Sequence, residues 1–482
     1  MPTPAVTIFK SDGNTGVVRP AADGILAIIA TCEKGPFNLP ASYARPDLAL
    51  ADYGNGALTE ANAYCTGISQ NSSVLIRGTG SLAGTYGTVA HAGAGTSVVT
   101  ASVGAPLDDF AVVVTIVDPG TVGTAGATYT YSLDGGKTVS GKIALGTATT
   151  IVIPGSGVTL SLAAGTLLAG QTESVTTTGP NLNNADVVAA LEALRLSAQP
   201  WDALLIDADA DATMVAIVDT WLLAREAEGR YKTAIMNTVM RTAVQSEAVY
   251  ATAMAPVAAG MVSKSIVVGA DGADLPSQIR GIVQKRQTSW FVAARGMRVD
   301  MSTDVAFVGD GPVNGASLYD DRGNPKYHDE LASPGLDTLR LATLRTFFGR
   351  DGVYINNAPI VSSTGSDYVF WQHARLMNKG CGIVYDLLTG LLSLKVRKQA
   401  GTGLIFEEDA ASIEAIVNTE LTRQLVTNGR VTAAQFVLSR TDNLTANAGA
   451  TLNGELQMIA NSYVKKFAVQ SRFVRTITAK AS

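Results

Sequence analysis

The stretch ALLIDADADAT, Ala203 to Thr213, ends an apolar run on three aspartates at alternate positions, Asp207, Asp209 and Asp211. An apolar run of this length reads as a buried strand. Carboxylates at the carboxyl end of a strand in an α/β sheet are placed to hold Mg²⁺ and to act as nucleophile and acid on a phosphate ester. The plainer reading is an Asp-rich turn that caps the next helix. A second cluster lies in GRDGVYINNAPIV and SDYVFWQHARLMNKG, which bring Asp351, Asn356, Asn357, Trp371, His373 and Arg375 into a short span. Its plain reading gives Asn356 and Asn357 to turn hydrogen bonds, and Trp371 and Arg375 to packing.

Asp209-x-Asp211-x-Thr213 resembles the D-x-D-x-T pattern of haloacid-dehalogenase-type phosphatases, but that family's lysine and acidic-pair elements do not follow at suitable strand ends. The other motifs carry less. GGKT, Gly135 to Thr138, lacks the first glycine of a phosphate loop, whose place falls at Tyr131. His91, His328 and His373 are far apart and have no His or Cys neighbour at ligand spacing. Cys32, Cys65 and Cys381 are too scattered for a disulfide framework or a metal set, and a reducing cytosol is the expected setting. GADGADLP, Gly269 to Pro276, and GDGPVNG, Gly309 to Gly315, read as Asp-Gly turns without calcium-loop spacing. No Gly-x-Ser-x-Gly elbow occurs. The residues imply no cofactor.

At roughly 100 to 200 residues per domain, a chain of 482 suggests about three domains. A hydrophobic share of 46% with 16% charge is apolar for a soluble monomer, so surface is expected to be buried against partners. A net charge of -5 argues against general nucleic-acid affinity. The exception is the basic tail from Tyr463 onward, with Lys465, Lys466, Arg472, Arg475, Lys480 and no acid, which suits an acidic protein face. GILAIIA is too short to cross a bilayer and ATAMAPVAAGMV is interrupted by Pro256, so no membrane insertion is expected and the chain is placed in the cytoplasm.

The elements that position these residues form an α+β or α/β multidomain chain. Residues 1–20 alternate apolar and polar positions through Val6, Ile8, Val17 and Val18 and read as a strand arm. Residues 21–78 and 180–345 alternate strands and helices, the α/β middle domain. Within it SVLIRG reads as a strand, WDALLIDA, YKTAIMNT and KSIVVGA as further strands, and Met214, Ile217, Val218, Trp221 and Leu222 as one helix face. SWFVAARGMRVD and GVYINNAPIV read as two more strands. Residues 79–179 shift to Gly, Thr, Ala, Ser and Val with Asp-Pro-Gly, Asp-Gly-Gly and Pro-Gly turns, an inserted all-β, sandwich-like domain. Residues 346–462 form a C-terminal core domain, whose helix carries Ile413, Ile416, Val417, Leu421 and Leu425 and stops at an Asn-Gly. Residues 463–482, with Phe467, Val469 and Phe473 among the basic residues, read as a second strand arm.

Several segments, in order, resemble contractile phage tail sheath proteins, the myovirus type and phage-derived tailocins alike. Near the start, ILAIIATCEKGPFNLP has an apolar strand and a K-G-P-x-N-x-P turn at Lys34 to Pro40; Tyr53-Gly54 and Arg77-Gly78 follow. Later come the Trp-containing DYVFWQHARLMNKG, then GLIFEEDAASIEAIVNTELTRQLVTNGRV and VLSRTDN. The resemblance covers about two thirds of the chain, with one Arg, Arg375, where the family doubles it. It implies a structural protomer, not an enzyme: a helical stack of rings, hexameric in the family, around an inner tail tube, with baseplate and tail terminator proteins as further partners. Arms 1–20 and 463–482 would pair with neighbouring subunits. The C-terminal helix with Glu414, Glu420, Arg423 and Arg430 is the candidate tube-facing surface, and the β insertion is expected on the outside. The rival is a Mg²⁺-dependent phosphatase-like enzyme built on Asp207, Asp209 and Asp211.

Overall fold

The computed structural model describes residues 23–242, 245–318, 335–445 and 451–466. The N-terminal arm, with Val6, Ile8, Val17 and Val18, lies outside them, as do Phe467, Val469, Arg472, Phe473 and Arg475 of the C-terminal arm. The architecture is mixed α/β, and the chain divides into two compact units, Met1–Gly382 and Ile383–Ser482.

The first unit begins with β1 (Leu26–Ala30), β2 (Ala41–Tyr43), α1 (Pro46–Tyr53), α2 (Ala57–Ser69) and β3 (Ser73–Arg77). After the inserted strands it resumes with α3 (Asn184–Leu196), β15 (Ala203–Asp209), α4 (Ala212–Ala227), β16 (Thr233–Asn237), α5 (Glu247–Ala258) and β17 (Ile266–Gly269). Six of these strands form one sheet in the order β17-β16-β15-β1-β3-β2, parallel except for β2. Helices cover both faces, which is why its strands read as unbroken apolar runs instead of alternating ones. Leu26, Ile28, Leu75, Leu205 and Ile235 pack toward one layer, and Ala27, Ile29, Val74, Leu204 and Ile206 toward the other. On α4 the buried stripe is Met214, Val215, Val218, Trp221 and Leu222; Ile217 is only half-buried at its margin. Pro256 does not break the apolar run it interrupts, for it sits in the last turns of α5.

The inserted layer comprises β4 (Thr85–Tyr86), β5 (Ala90–Ala92), β6 (Val99–Val103), β7 (Ala111–Asp118), β8 (Gly120–Thr121) and β9 (Thr128–Ser132), then β10 (Ile143–Ala144), β11 (Thr150–Ile153), β12 (Val158–Leu162), β13 (Thr166–Leu167) and β14 (Thr172–Thr178). One sheet runs β10-β9-β7-β14-β4 with β5 also on β14; a second runs β11-β12-β6. Alternate residues Val112, Val114 and Ile116 of β7, and Val158, Leu160 and Leu162 of β12, fill a core of their own.

The rest of the unit contains β18 (Gly272–Pro276) paired with β19 (Val283–Gln287), then α6 (Thr288–Arg298), the hairpin β20 (Thr343–Phe347) and β21 (Arg350–Asn357), and the first turns of α7 (Trp371–Gly390), whose residues from Ile383 belong to the second unit. Two readings are corrected here. SWFVAARGMRVD is helix α6, not a strand: Thr288 to Met297 are buried on every side, so no polar face exists to reveal a helical period. GADGADLP is in large part strand β18 and only its start is a turn, with Asp271 at φ 56. On α6, a Cβ at Gly296 would lie 2.0 Å from the Trp371 ring, so only glycine lets α7 pack this closely. Trp371 is buried and donates from Nε1 to Thr233 Oγ1 at 3.0 Å, while Arg375 donates to the Gly296 carbonyl at 2.9 Å. Asn356 and Asn357 both donate to Asp337, at 3.2 and 3.1 Å.

The second unit contains α8 (Glu407–Leu421), β22 (Val431–Leu438) and β23 (Gly454–Ala460). Ala410, Ile413, Val417 and Leu421 are the buried stripe of α8, and Leu425 continues it in a following π turn. Ile416 stands off the stripe, 45% exposed. The helical run closes at Asn428-Gly429, where Gly429 takes φ +67 and frees the chain to enter β22.

Candidate functional site

β1 leads outward to β3, whereas its other neighbour β15 leads the opposite way to β16 and β17. At such a reversal the loops part beyond the carboxyl ends of the strands, and doubly wound sheets bind ligands there. A cavity of about 670 Å³ occupies this place, lined by Thr31, Asp207, Asp209 and Trp290 from the sheet side and by Asp109 and Phe110 from the inserted layer.

The three aspartates of ALLIDADADAT do not act as a set. Asp207 accepts from Trp290 Nε1 at 2.9 Å, and burial pushes its carboxyl up to about 6. Asp209 accepts from Asn181 Nδ2 at 2.7 Å, and burial raises it too. Asp211 is the N-cap of α4 and accepts from the Met214 amide at 2.7 Å. Only Asp207 and Asp209 line the cavity, each held by its own donor, while Asp211 is spent on capping. Among the described residues no group of three His, Cys, Asp or Glu side chains is arranged to hold a metal ion.

The remaining sequence candidates have structural partners. Thr138 of GGKT donates its amide and hydroxyl to Asp134, both at 2.8 Å. His91 meets the buried Glu173 at 2.7 Å, His373 lies against the Phe370 ring, and His328 is outside the described residues. All three cysteines are free thiols, and burial pushes Cys32 up to about 12, far from a reactive thiolate. Sequence reasoning missed a buried ionic cluster at the cavity: Asp108 and Arg286, which line it, with Arg280 and Glu60 behind them. Asp108 and Arg286 stand 178 residues apart, and no local pattern marks such a pairing.

The second candidate is the hairpin β22–β23. Its register sets Phe436 opposite Leu456, Leu438 opposite Gly454, and Ala434 opposite Met458. In an antiparallel pair, alternate residues turn their N–H and C=O away from the partner strand. On β22 those outward groups are taken up by α8. The Phe436 amide donates to Asn418 Oδ1 at 2.7 Å, the Phe436 carbonyl accepts from Asn418 Nδ2 at 3.0 Å, and the Leu438 amide donates to Glu414 Oε1 at 2.6 Å. By the same alternation Gly454, Leu456 and Met458 point outward on β23, and among the described residues no strand pairs with that side.

Glu414 therefore faces β22, where Arg440 also binds it at 2.6 Å and, with the Leu438 amide, holds its carboxyl below the usual range. Glu420 pairs with the exposed Arg423, and Arg430 donates to the Gln424 carbonyl at 3.4 Å. Lys465 and Lys466 follow β23 and are exposed.

Among the described residues, no helix is long and apolar enough to cross a membrane. Residues 3–359 match the family model described as DUF2586, N-terminal domain. No curated protein matches the sequence. Among solved structures the chain is similar to the sheath tail protein of Desulfitobacterium hafniense, at 11% identity and TM-score 0.47 over 95% of this chain and 100% of that one. It is similar to the sheath tail protein of Listeria innocua, at 11% identity and TM-score 0.46 over 91% and 95%. A chain of the contracted anti-feeding prophage baseplate gives 11% identity and TM-score 0.49 over 98% of each. These three likenesses are too distant to carry a functional argument.

Proposed function

The chain belongs to the DUF2586 family, and we propose that it is a structural protomer of a contractile tail sheath, which polymerises helically around an inner tail tube and contracts to drive the tube through a host envelope. The observation that carries this reading is the half-closed hairpin. One edge of β22–β23 is sealed by Asn418 and Glu414, while the other presents Gly454, Leu456 and Met458. A two-stranded sheet is marginal alone, and an open edge with alternating main-chain groups takes an added strand. The chain carries its own candidates in the arms 1–20 and 463–482.

An arm donated to the next subunit makes a head-to-tail contact, and one that does not close into a ring extends into a helix. The ordered motifs support the same reading: the turn Lys34 to Pro40 follows β1, Tyr53-Gly54 ends α1, Arg77-Gly78 ends β3, and Trp371 opens α7. The role is non-enzymatic, with no cofactor. Its partners are further copies of the chain, in hexameric rings, the inner tube, and baseplate and terminator proteins, and its setting is a phage or tailocin particle assembled in the host cytoplasm. The α8 region would turn toward the tube and the inserted β layer outward.

Negative-stain electron microscopy of the purified chain tests this. Tubes of uniform diameter, lost on deleting residues 1–20 or 463–482, are expected. Monomers that release phosphate in Mg²⁺, with release abolished by Asp209→Asn, would sink the sheath reading in favour of the phosphatase.

A further inference from the structure

A buried ionic cluster joins the inserted β layer to the β18–β19 segment and to helix α2. Arg286 grips Asp108 with both terminal nitrogens, Nη1 to Oδ1 at 2.8 Å and Nη2 to Oδ2 at 2.7 Å, the fork geometry that guanidinium and carboxylate share. Arg280 Nη2 donates to the same Oδ2 at 2.6 Å, and its Nε turns to Glu60 of α2 at 2.9 Å. Gln284 Oε1 accepts from both arginines, at 3.1 and 2.7 Å. The guanidiniums lie near aromatic rings, Arg286 4.9 Å from Trp290 and Arg280 5.1 Å from Phe110. Asp108, Glu60, Arg286 and Arg280 are 6%, 4%, 8% and 10% exposed, so water is largely excluded, and Arg280 Nη1 is buried without a hydrogen-bond partner. Two acids meet two bases, and the cluster is neutral.

Its position matters as much as its strength. Asp108 and Arg286 both line the cavity at the carboxyl ends of β1 and β15, where a sheet of this topology ordinarily takes a ligand. The arginines belong to the β18–β19 segment and the carboxylate to the insert, so this protein supplies the anion from its own chain. Burial alone would raise the Asp108 carboxyl, but Arg286 and Arg280 more than offset it and hold it at about 2. Other contacts join the same segments: the partly exposed pair Lys137 Nζ to Asp274 at 2.5 Å, Val283 N to Asp134 at 3.0 Å, Gln284 Nε2 to the Asp109 carbonyl at 2.9 Å, and Ile282 in the insert's apolar core.

We propose that Asp108 is a built-in ligand: the insert is fastened over the carboxyl edge of the sheet by seating this carboxylate in a receptor made by Arg280 and Arg286, and the receptor accepts a small free carboxylate when Asp108 is absent. This does not depend on the sheath reading. Truncating one partner of a buried ion pair leaves uncompensated charge, and a small anion that fits the gap restores it.

The test uses the full-length chain and hydrogen exchange at residues 107–111 and 280–287. Asp108→Gly is expected to speed exchange there at least about ten-fold. Sodium formate should reverse this in a dose-dependent way, sodium chloride at equal ionic strength should not, and adding Arg286→Met should abolish the formate effect. Unchanged exchange in Asp108→Gly, or recovery equal in formate and chloride, overturns the proposal. Should the glycine variant not fold, Asp108→Asn and Ile282→Ala decide it. The asparagine variant must loosen these segments more than the alanine one, and the reverse order rejects Asp108 as the fastening.

Discussion

The two units finish their sheets in opposite ways. In the first, the β17 edge is covered by chain: the Ala342 amide donates to Val268 at 2.8 Å, and Val361 to Ile266 at 3.2 Å. Its other edge, β2, is three residues long and follows Pro40, a short proline-flanked strand of the kind that resists pairing. In the second unit, two side chains of α8 seal one edge of β22–β23, and among the described residues no strand pairs with the facing edge of β23. A sheet with both edges managed is complete by itself. A hairpin sealed on one side only has a single direction in which to grow.

The largest expected effect falls on that open edge. Met458→Pro removes an outward N–H while sparing the ladder to β22, and should raise the critical concentration for assembly at least about ten-fold with the hairpin still folded. Gln457→Pro, one residue away, removes an inward N–H and should unfold the hairpin as well. Circular dichroism and sedimentation together separate the two outcomes, and equal effects would mean the register does not select an outer edge.

Next in size is the core of the complete unit. Trp371→Ala empties the space against Gly296 and strands Thr233 without its donor, and should cost the first unit about 3 to 5 kcal/mol in a denaturant titration. A smaller change follows from Asp207. Its folded carboxyl titrates at about 6, above the unfolded value, so the stability it contributes at low pH is lost as pH rises from about 4 through about 6. Asp207→Asn keeps an acceptor for Trp290 and should stabilise the unit by about 2 kcal/mol above pH 7, with little gain at pH 4. Last, Asp211→Ala removes the α4 cap, for about 1 kcal/mol by thermal melt. Neither aspartate change should alter assembly, which would confine their role to the first unit.

Legibility in the sequence followed the range of the interactions. Strands of the inserted layer were plain because Val and Ile alternate with turn residues, and the parallel strands because burial on both faces leaves apolar runs. Helix α6 was misread for the same reason: Trp290 to Met297 has no polar face to betray its period. The ends of β1, α1 and β3 carried recognisable turns. Asp207, Asp209 and Asp211 looked like a site because strand spacing puts carboxylates near one another, yet spacing says nothing of Trp290, Asn181 and the Met214 amide that take them up. Asp108 with Arg286, and Asn418 with β22, are long-range pairings that only the folded chain brings together.

The most direct measurement is amide exchange of Gly454, Leu456 and Met458 in assembled full-length protein against a variant lacking both arms. A strand added to β23 predicts strong protection of these three amides in the assembly and fast exchange without the arms, while Phe436 and Leu438 are protected in both. Tubes in which Leu456 and Met458 exchange as fast as in the armless variant would contradict strand addition at this edge.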